Sequence, residues 1–154
     1  MIVSENMTKK VYKVFEDEML PDIYETMLRL DIRHVPVTQN GRVLGIISDR
    51  DILSCSLKKY GVLEVPNIKA CEVMTKNVIS CSPADSISKV AGQMIDKKIS
   101  AITVIGPEGL LKGIITSTDI VALMASDKSI ETKKPFPFEY ECFDVYTTQI
   151  GGIV

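Results

Sequence analysis

The sequence has no tryptophan, one histidine and four cysteines in 154 residues. A single histidine, His34, has no second histidine to join it in a metal site or a triad. Cys55, Cys71, Cys81 and Cys142 form no Cys-x-x-Cys pair, so zinc-ligand spacing is absent. No charge of one sign dominates: the formal net charge is −2. A general grip on nucleic acid needs a clearly basic face. Long hydrophobic runs are missing too. The stretches 43–48 and 114–116 fall far short of the roughly 20 apolar residues that span a bilayer. Met1-Ile2-Val3-Ser4-Glu5 lacks the basic and apolar regions of a secretion signal. These absences predict a cytoplasmic chain with reduced thiols, no membrane insertion and no nucleic-acid partner. What remains is an ordinary globular balance, 45% hydrophobic and 25% charged.

The chain contains an internal repeat, which sets the reading of everything else. Met7-Thr8-Lys9-Lys10-Val11 returns as Met74-Thr75-Lys76-Asn77-Val78. At the same offset Ile32 meets Ile99 and Val37 meets Val104. After one extra residue, Gly45-Ile46-Ile47-Ser48 meets Gly113-Ile114-Ile115-Thr116, and Asp51-Ile52 meets Asp119-Ile120. Each copy is near the size at which a lone unit struggles to bury a core, and two packed together solve that problem.

Both copies predict the same order of elements. Strands are expected at Val11 to Phe15 and Val78 to Cys81. Leu20, Ile23, Met27 and Leu30 recur at helical spacing, as do Ile87, Val90, Ala91, Met94 and Ile95. A hairpin follows over His34 to Thr38 and Arg42 to Ser48, with Asn40-Gly41 as its turn. Gly106-Pro107-Glu108-Gly109 plays that part in the second copy. A last helix begins after Ser48 or Thr116, and the first of these is expected to stop near Gly61. The expected boundaries are 5–61 for the first unit, 62–73 for a linker and 74–125 for the second unit. Residues 126–154 read as a polar linker and an aromatic tail. Phe138, Tyr140 and Cys142 there alternate with Glu139 and Glu141, a half-buried strand pattern.

The sharpest motif is Gly45-Ile46-Ile47-Ser48-Asp49-Arg50-Asp51, echoed by Gly113-Ile114-Ile115-Thr116-Ser117-Thr118-Asp119. A buried strand runs into a hydroxyl residue, with an aspartate three residues later. One reading is a capping box, in which Ser48 or Thr116 caps the helix and the aspartate returns a bond. The other is a ligand site. Free helix amides suit a phosphate, and a carboxylate one turn in suits the hydroxyls of a ribose. Both readings claim the same atoms.

The doubled pattern resembles the CBS motif, and a tandem pair is similar to a Bateman module. The residues that carry the resemblance are Met7-Thr8, Ile32-Arg33-His34-Val35-Pro36-Val37 and Gly45-x-x-Ser48-x-x-Asp51 in the first copy. In the second they are Met74-Thr75, Ile99-Ser100-Ala101 and Gly113-x-x-Thr116-x-x-Asp119. The resemblance covers about residues 5 to 125. It implies an α+β fold of two β-α-β-β-α units, packed sheet to sheet with pseudo-twofold symmetry and leaving two clefts. It also implies a homodimer, a regulated enzyme or transporter as partner, and adenosyl ligands such as AMP, ADP, ATP or S-adenosylmethionine. No catalytic cofactor and no catalysis are implied.

Carried over by position, one cleft would join Ser48, Arg50 and Asp51 to Val78, Ile79, Ile99, Ser100 and Ala101. The other would join Thr116, Thr118 and Asp119 to Val11, Tyr12, Ile32, Arg33 and His34. The aspartates would hold ribose. Ser48 and Arg50 would meet phosphate, and Ile79, Ile99 and Ala101 would enclose the base. Because Tyr12, Arg33 and His34 are bulkier than Ile79, Ser100 and Ala101, the Ser100-Ala101 cleft is expected to be the roomier. The alternative function is an interaction and dimerisation scaffold that binds no small ligand and uses the aromatic tail.

Overall fold

The computed structural model describes residues 1–126. The expected strand pattern of Phe138, Tyr140 and Cys142 lies outside the described residues. The elements are α1 (Val3–Asn6), α2 (Leu20–Leu30), β1 (His34–Gln39), β2 (Arg42–Ser48), α3 (Asp49–Cys55), β3 (Leu57–Lys59), β4 (Val62–Glu64), α4 (Ala70–Val73), β5 (Ser80–Cys81), α5 (Ile87–Lys97), β6 (Ala101–Ile105), β7 (Leu111–Thr116) and α6 (Ser117–Ser126). Strands β1 and β2 pair antiparallel, as do β6 and β7, while β5 joins β6 in parallel.

The two long helices form for parallel reasons. In α2, Leu20, Ile23 and Met27 make one buried face, and in α5 Ile87, Val90 and Met94 do the same. Pro21 opens the first helix, and Ser86 caps the second by accepting a bond from the Lys89 amide at 3.2 Å. Each helix stops at a residue in the left-handed region, Asp31 at φ 52° and Lys98 at φ 54°. These two sites are equivalent in the repeat yet opposite in charge. The first hairpin turns through Asn40 and Gly41, both at positive φ, as its strand twist requires.

Each half has its own core. Leu20, Ile23, Val35 and Ile47 anchor the first, and Val90, Ile102, Val104 and Ile115 the second. Burying each such side chain contributes roughly 1.5–3 kcal/mol. The halves also exchange segments. Val3 of α1 belongs to the second core, and Ala70 of α4 belongs to the first. Three pairs of backbone hydrogen bonds repeat this exchange. Leu20 N–H donates to Ile68 O as Ile87 N–H does to Met1 O, and Ala70 to Glu18 as Val3 does to Asp85. Cys71 donates to Glu16 as Ser4 does to Pro83. Thr8 bridges Ile114, and Thr75 bridges Ile46. A Cβ on Gly45 would lie 2.5 Å from Met74 Sδ, and one on Gly113 would lie 2.6 Å from Met7 Sδ. The duplicated Met-Thr pairs thus clasp the opposite copy.

Three expectations are corrected. The strand expected at Val11 to Phe15 is a single bridge between Val14 and Val37, and the one at Val78 to Cys81 shrinks to Ser80–Cys81. The difference between the halves has a covalent cause. Val14 N–H donates to Pro36 O and Val14 O accepts from Thr38 N–H, so the next bond back would need an amide at position 36. Proline has none, and the ladder stops. Thr103 stands at the equivalent position and pairs with Ser80. The helix expected to reach Gly61 ends at Cys55, and β3 and β4 follow as a hairpin. Tyr60 at φ 50° and Gly61 at φ 83° form its tight turn, so Gly61 serves a hairpin and not a helix end. Finally, the expected linker 62–73 contains β4 and the core-packed α4.

Candidate functional site

The two junctions are near copies. At Ser48, Oγ accepts the Asp51 amide at 3.2 Å, while Asp51 Oδ2 accepts from Ser48 N–H and Ser48 Oγ, each at 2.7 Å. At Thr116 the corresponding distances are 3.3, 2.7 and 2.7 Å. The capping box therefore exists in both halves. It engages Oδ2 alone, and among the described residues the other oxygen of each aspartate accepts no hydrogen bond. The two readings of the motif are compatible, because the cap anchors one oxygen and leaves the second for a ligand.

The helix amides are a different matter. Asp49 N–H donates to Arg33 O at 3.0 Å, Arg50 N–H to Asp49 Oδ1 at 2.8 Å, and Asp51 N–H to Ser48 Oγ. The first turn of α3 has no amide left over for a phosphate, contrary to the expectation from spacing. Ser117 N–H is likewise taken by Ser100 O at 2.9 Å. At the Ser48 junction an anion would therefore have to be met by side chains, whereas the Thr118 N–H of α6 donates to no atom among the described residues.

Two clefts flank the pseudo-twofold axis. The first, about 360 Å³, gathers Ser48, Arg50, Asp51, Ile99, Ser100 and Ala101. The second, about 490 Å³, gathers Ile32, Arg33, His34, Thr116, Thr118 and Asp119. Twelve of the sixteen expected residues thus meet in the two clefts. Val11, Tyr12, Val78 and Ile79 line neither. Tyr12 packs against the first core and Ile79 against the second. The Ile79 carbonyl accepts from Thr103 Oγ1 at 3.4 Å, and Val78 N–H donates to Lys76 O. Val11 is half-buried.

The expected size order is reversed, the Thr116–Asp119 cleft being the larger. Two side chains judged bulky do not fill it: Tyr12 turns into the core, and Arg33 reaches across to Thr118 Oγ1 at 3.3 Å. Arg33 and His34 also line the first cleft, where only their smaller counterparts were expected. His34 Nε2 lies 3.2 Å from Ser100 Oγ, so the two copies join in a wall shared by both clefts. Burial is the main cause that pulls the His34 pKa below its ordinary value. Asp49 and Asp51 push it up, and Arg33 and Arg50 push it down.

Lining residues not anticipated are Asp31, Thr8, Ile114 and Ser117 in the larger cleft, and Lys98, Thr75, Ile46 and Asp49 in the smaller. A signal existed for Asp31 and Lys98, since each directly precedes the Ile that opens the next segment. The signal for Thr8 and Thr75 was the Met-Thr repeat itself.

Comparison with known proteins agrees with this architecture. The CBS domain profile matches residues 3–58 and 70–126. An uncharacterised protein of Methanocaldococcus jannaschii, MJ1225, is 29% identical over 132 residues, covering 80% of this chain and 47% of that protein. A homoserine O-acetyltransferase of Methanococcus vannielii is 36% identical over 120 residues, 77% of this chain and 24% of the enzyme. The chain spans a quarter to about half the length of these curated relatives. Among solved structures, the CBS domain pair of protein MJ0100 in complex with 5′-methylthioadenosine and S-adenosyl-L-methionine superposes with a TM-score of 0.71. It is 25% identical over 81% of this chain and 96% of that one. With its duplicated profile match, exchanged Met-Thr segments and paired Ser/Thr-x-x-Asp junctions, the chain belongs to the CBS domain family.

Proposed function

We propose that this CBS pair is a regulatory sensor that binds adenosyl compounds in its two clefts and performs no chemistry on them. The observation that carries the reading is the half-engaged carboxylate. In each cleft an aspartate is fixed through Oδ2 by its own helix cap while Oδ1 stays available. A pre-positioned acceptor of that kind suits a vicinal ribose diol and loses little freedom on binding. The binding site on this reading comprises Ser48, Arg50, Asp51, Ile99, Ser100 and Ala101 on one side, and Ile32, Arg33, His34, Thr116, Thr118 and Asp119 on the other. Tyr12 and Ile79 support these from the core side, with Val11 and Val78 beside them in the chain. The complex of the MJ0100 pair with methylthioadenosine and S-adenosylmethionine supports the ligand class.

The expected partners stay part of the proposal. Leu53, Val121 and Met124 are exposed on α3 and α6, which favours a second copy of the chain as a helix-to-helix partner. The match to part of homoserine O-acetyltransferases favours a regulated enzyme as the recipient of the signal. No helix among the described residues is long and apolar enough to cross a membrane, and a cytoplasmic setting fits this reading. The test is a thermal-shift panel of AMP, ADP, ATP, S-adenosylmethionine and methylthioadenosine. At least one should raise the melting temperature in a saturable way. No shift with any of the five, together with no binding heat, favours the scaffold alternative.

A further inference from the structure

The clefts are alike in shape-defining residues and unlike in charge. Lys98 lines the Ser48–Asp51 cleft, and its repeat equivalent Asp31 lines the other. Arg50 stands in the first cleft where Thr118 stands in the second. The ion pairs seen among the described residues are Lys89 with Asp85 and Lys112 with Glu108, so neither Lys98 nor Arg50 is neutralised by a partner there. Each cleft holds two carboxylates, Asp49 and Asp51 in the first and Asp31 and Asp119 in the second, and in both the junction aspartate has one oxygen engaged by its own cap. Asp49 Oδ1 accepts the Arg50 amide, and Asp51 Oδ2 accepts two bonds from Ser48. In the second cleft a single guanidinium, Arg33, faces both Asp31 and Asp119, and it is already hydrogen-bonded to Thr118.

We propose that the clefts divide adenosyl compounds by charge, the Ser48–Asp51 cleft taking those that carry phosphate and the Thr116–Asp119 cleft those that do not. This rests on the adenosyl-sensing reading above. With the α3 amides already hydrogen-bonded, a phosphate in the first cleft depends on Arg50, Lys98 and the shared Arg33, a set of donors that forms charge-assisted bonds. In the second cleft the same phosphate would sit beside two carboxylates with one cation to offset them. A thioether adenosyl compound carries no phosphate for the carboxylates to repel, and a sulfonium one brings a positive charge that they favour. The greater volume of the second cleft leaves room for such a substituent.

The experiment titrates the full chain with AMP and with 5′-methylthioadenosine by calorimetry at low ionic strength, where exposed charges are least screened. Asp51→Ala should remove the AMP site and Asp119→Ala the methylthioadenosine site. Lys98→Asp should lower the ratio of AMP to methylthioadenosine affinity about tenfold, the scale of one charge reversal at a solvated site. Asp31→Lys should let AMP occupy a second site. Both positions are exposed, and each already accepts the opposite residue in its repeat equivalent, so these variants keep the fold. An unchanged affinity ratio in Lys98→Asp, or loss of AMP binding through Asp119→Ala and not Asp51→Ala, overturns the division by charge. Binding of both ligands with no preference between clefts overturns the division and leaves the sensor reading standing. Absence of binding by either ligand overturns the division by charge, and the sensor reading falls with it only if ADP, ATP and S-adenosylmethionine also fail to bind.

Discussion

His34 occupies the wall between the clefts, half-buried and 3.2 Å from Ser100 Oγ. Its pKa is lowered in the fold, so below the ordinary value of 6.5 the unfolded chain takes up a proton that the folded chain resists. The stability His34 contributes is therefore present at neutral pH and is lost as the pH falls through about 6.5. Melting temperatures measured between pH 7 and pH 5 should fall, and His34→Gln should flatten the part of the fall nearest pH 6.5. An identical slope in the variant contradicts the placement of His34 in the wall. The buried Cys81 behaves differently. Burial chiefly, with help from Asp85, pushes its thiol up to about 11. Alkylation near neutral pH should therefore modify the less buried Cys55 and Cys71 faster than Cys81, as peptide mass mapping will show. The functional contrast lies at this scale too. Ser48 and Asp51 were legible as a capping box or a ligand site, and the choice was open because sequence spacing does not say which carboxylate oxygen the cap engages. In the fold the cap engages one oxygen of each aspartate, Oδ2.

At the level of elements, the repeat predicted the two helices, the two hairpins and the strand-to-helix junctions, because buried positions recur with the right period in each. It failed where one residue changed what its neighbours could do. Pro36 ends the parallel ladder that Thr103 permits, a long-range effect on Tyr12 that local pattern does not display. Pro36→Thr should extend the pairing toward Tyr12, and the new amide at position 36 should exchange slowly with solvent. Fast exchange there contradicts the explanation. Gly61 was legible as a chain-reversal residue, but the turn belongs to the β3–β4 hairpin. A Cβ at Gly61 would meet nothing within 4 Å, so the cost of Gly61→Ala comes from its φ of 83° alone. That cost is about 1 kcal/mol. It should loosen the hairpin in local hydrogen exchange while the global melting temperature hardly moves, since β3 and β4 are mostly exposed.

Across the whole molecule, the duplication does more than supply two small cores. Each copy lends its first turn to the other, Val3 to the second core and Ala70 to the first, and each Met-Thr pair clasps the opposite glycine strand. The exchange is visible in the sequence only as the repeated Met-Thr, whose partner is named by no local signal. Neither half should therefore fold alone. Chains covering 1–66 and 67–126 should be largely unfolded apart by circular dichroism and regain structure when mixed. Independent folding of either contradicts the exchange. The same symmetry places one Ser/Thr-x-x-Asp junction at each cleft, while Asp31, Lys98, Arg50 and Thr118 make the clefts unequal. Backbone-defining positions repeat because both halves must close on each other. Charged positions are free to diverge because they face solvent. The stoichiometry of adenosyl-ligand binding reads this arrangement most directly. Calorimetry with a mixture of AMP and methylthioadenosine should give two sites per chain, with Asp51→Ala and Asp119→Ala each removing one. Two sites that both survive either substitution would contradict a sensor built on the paired aspartates.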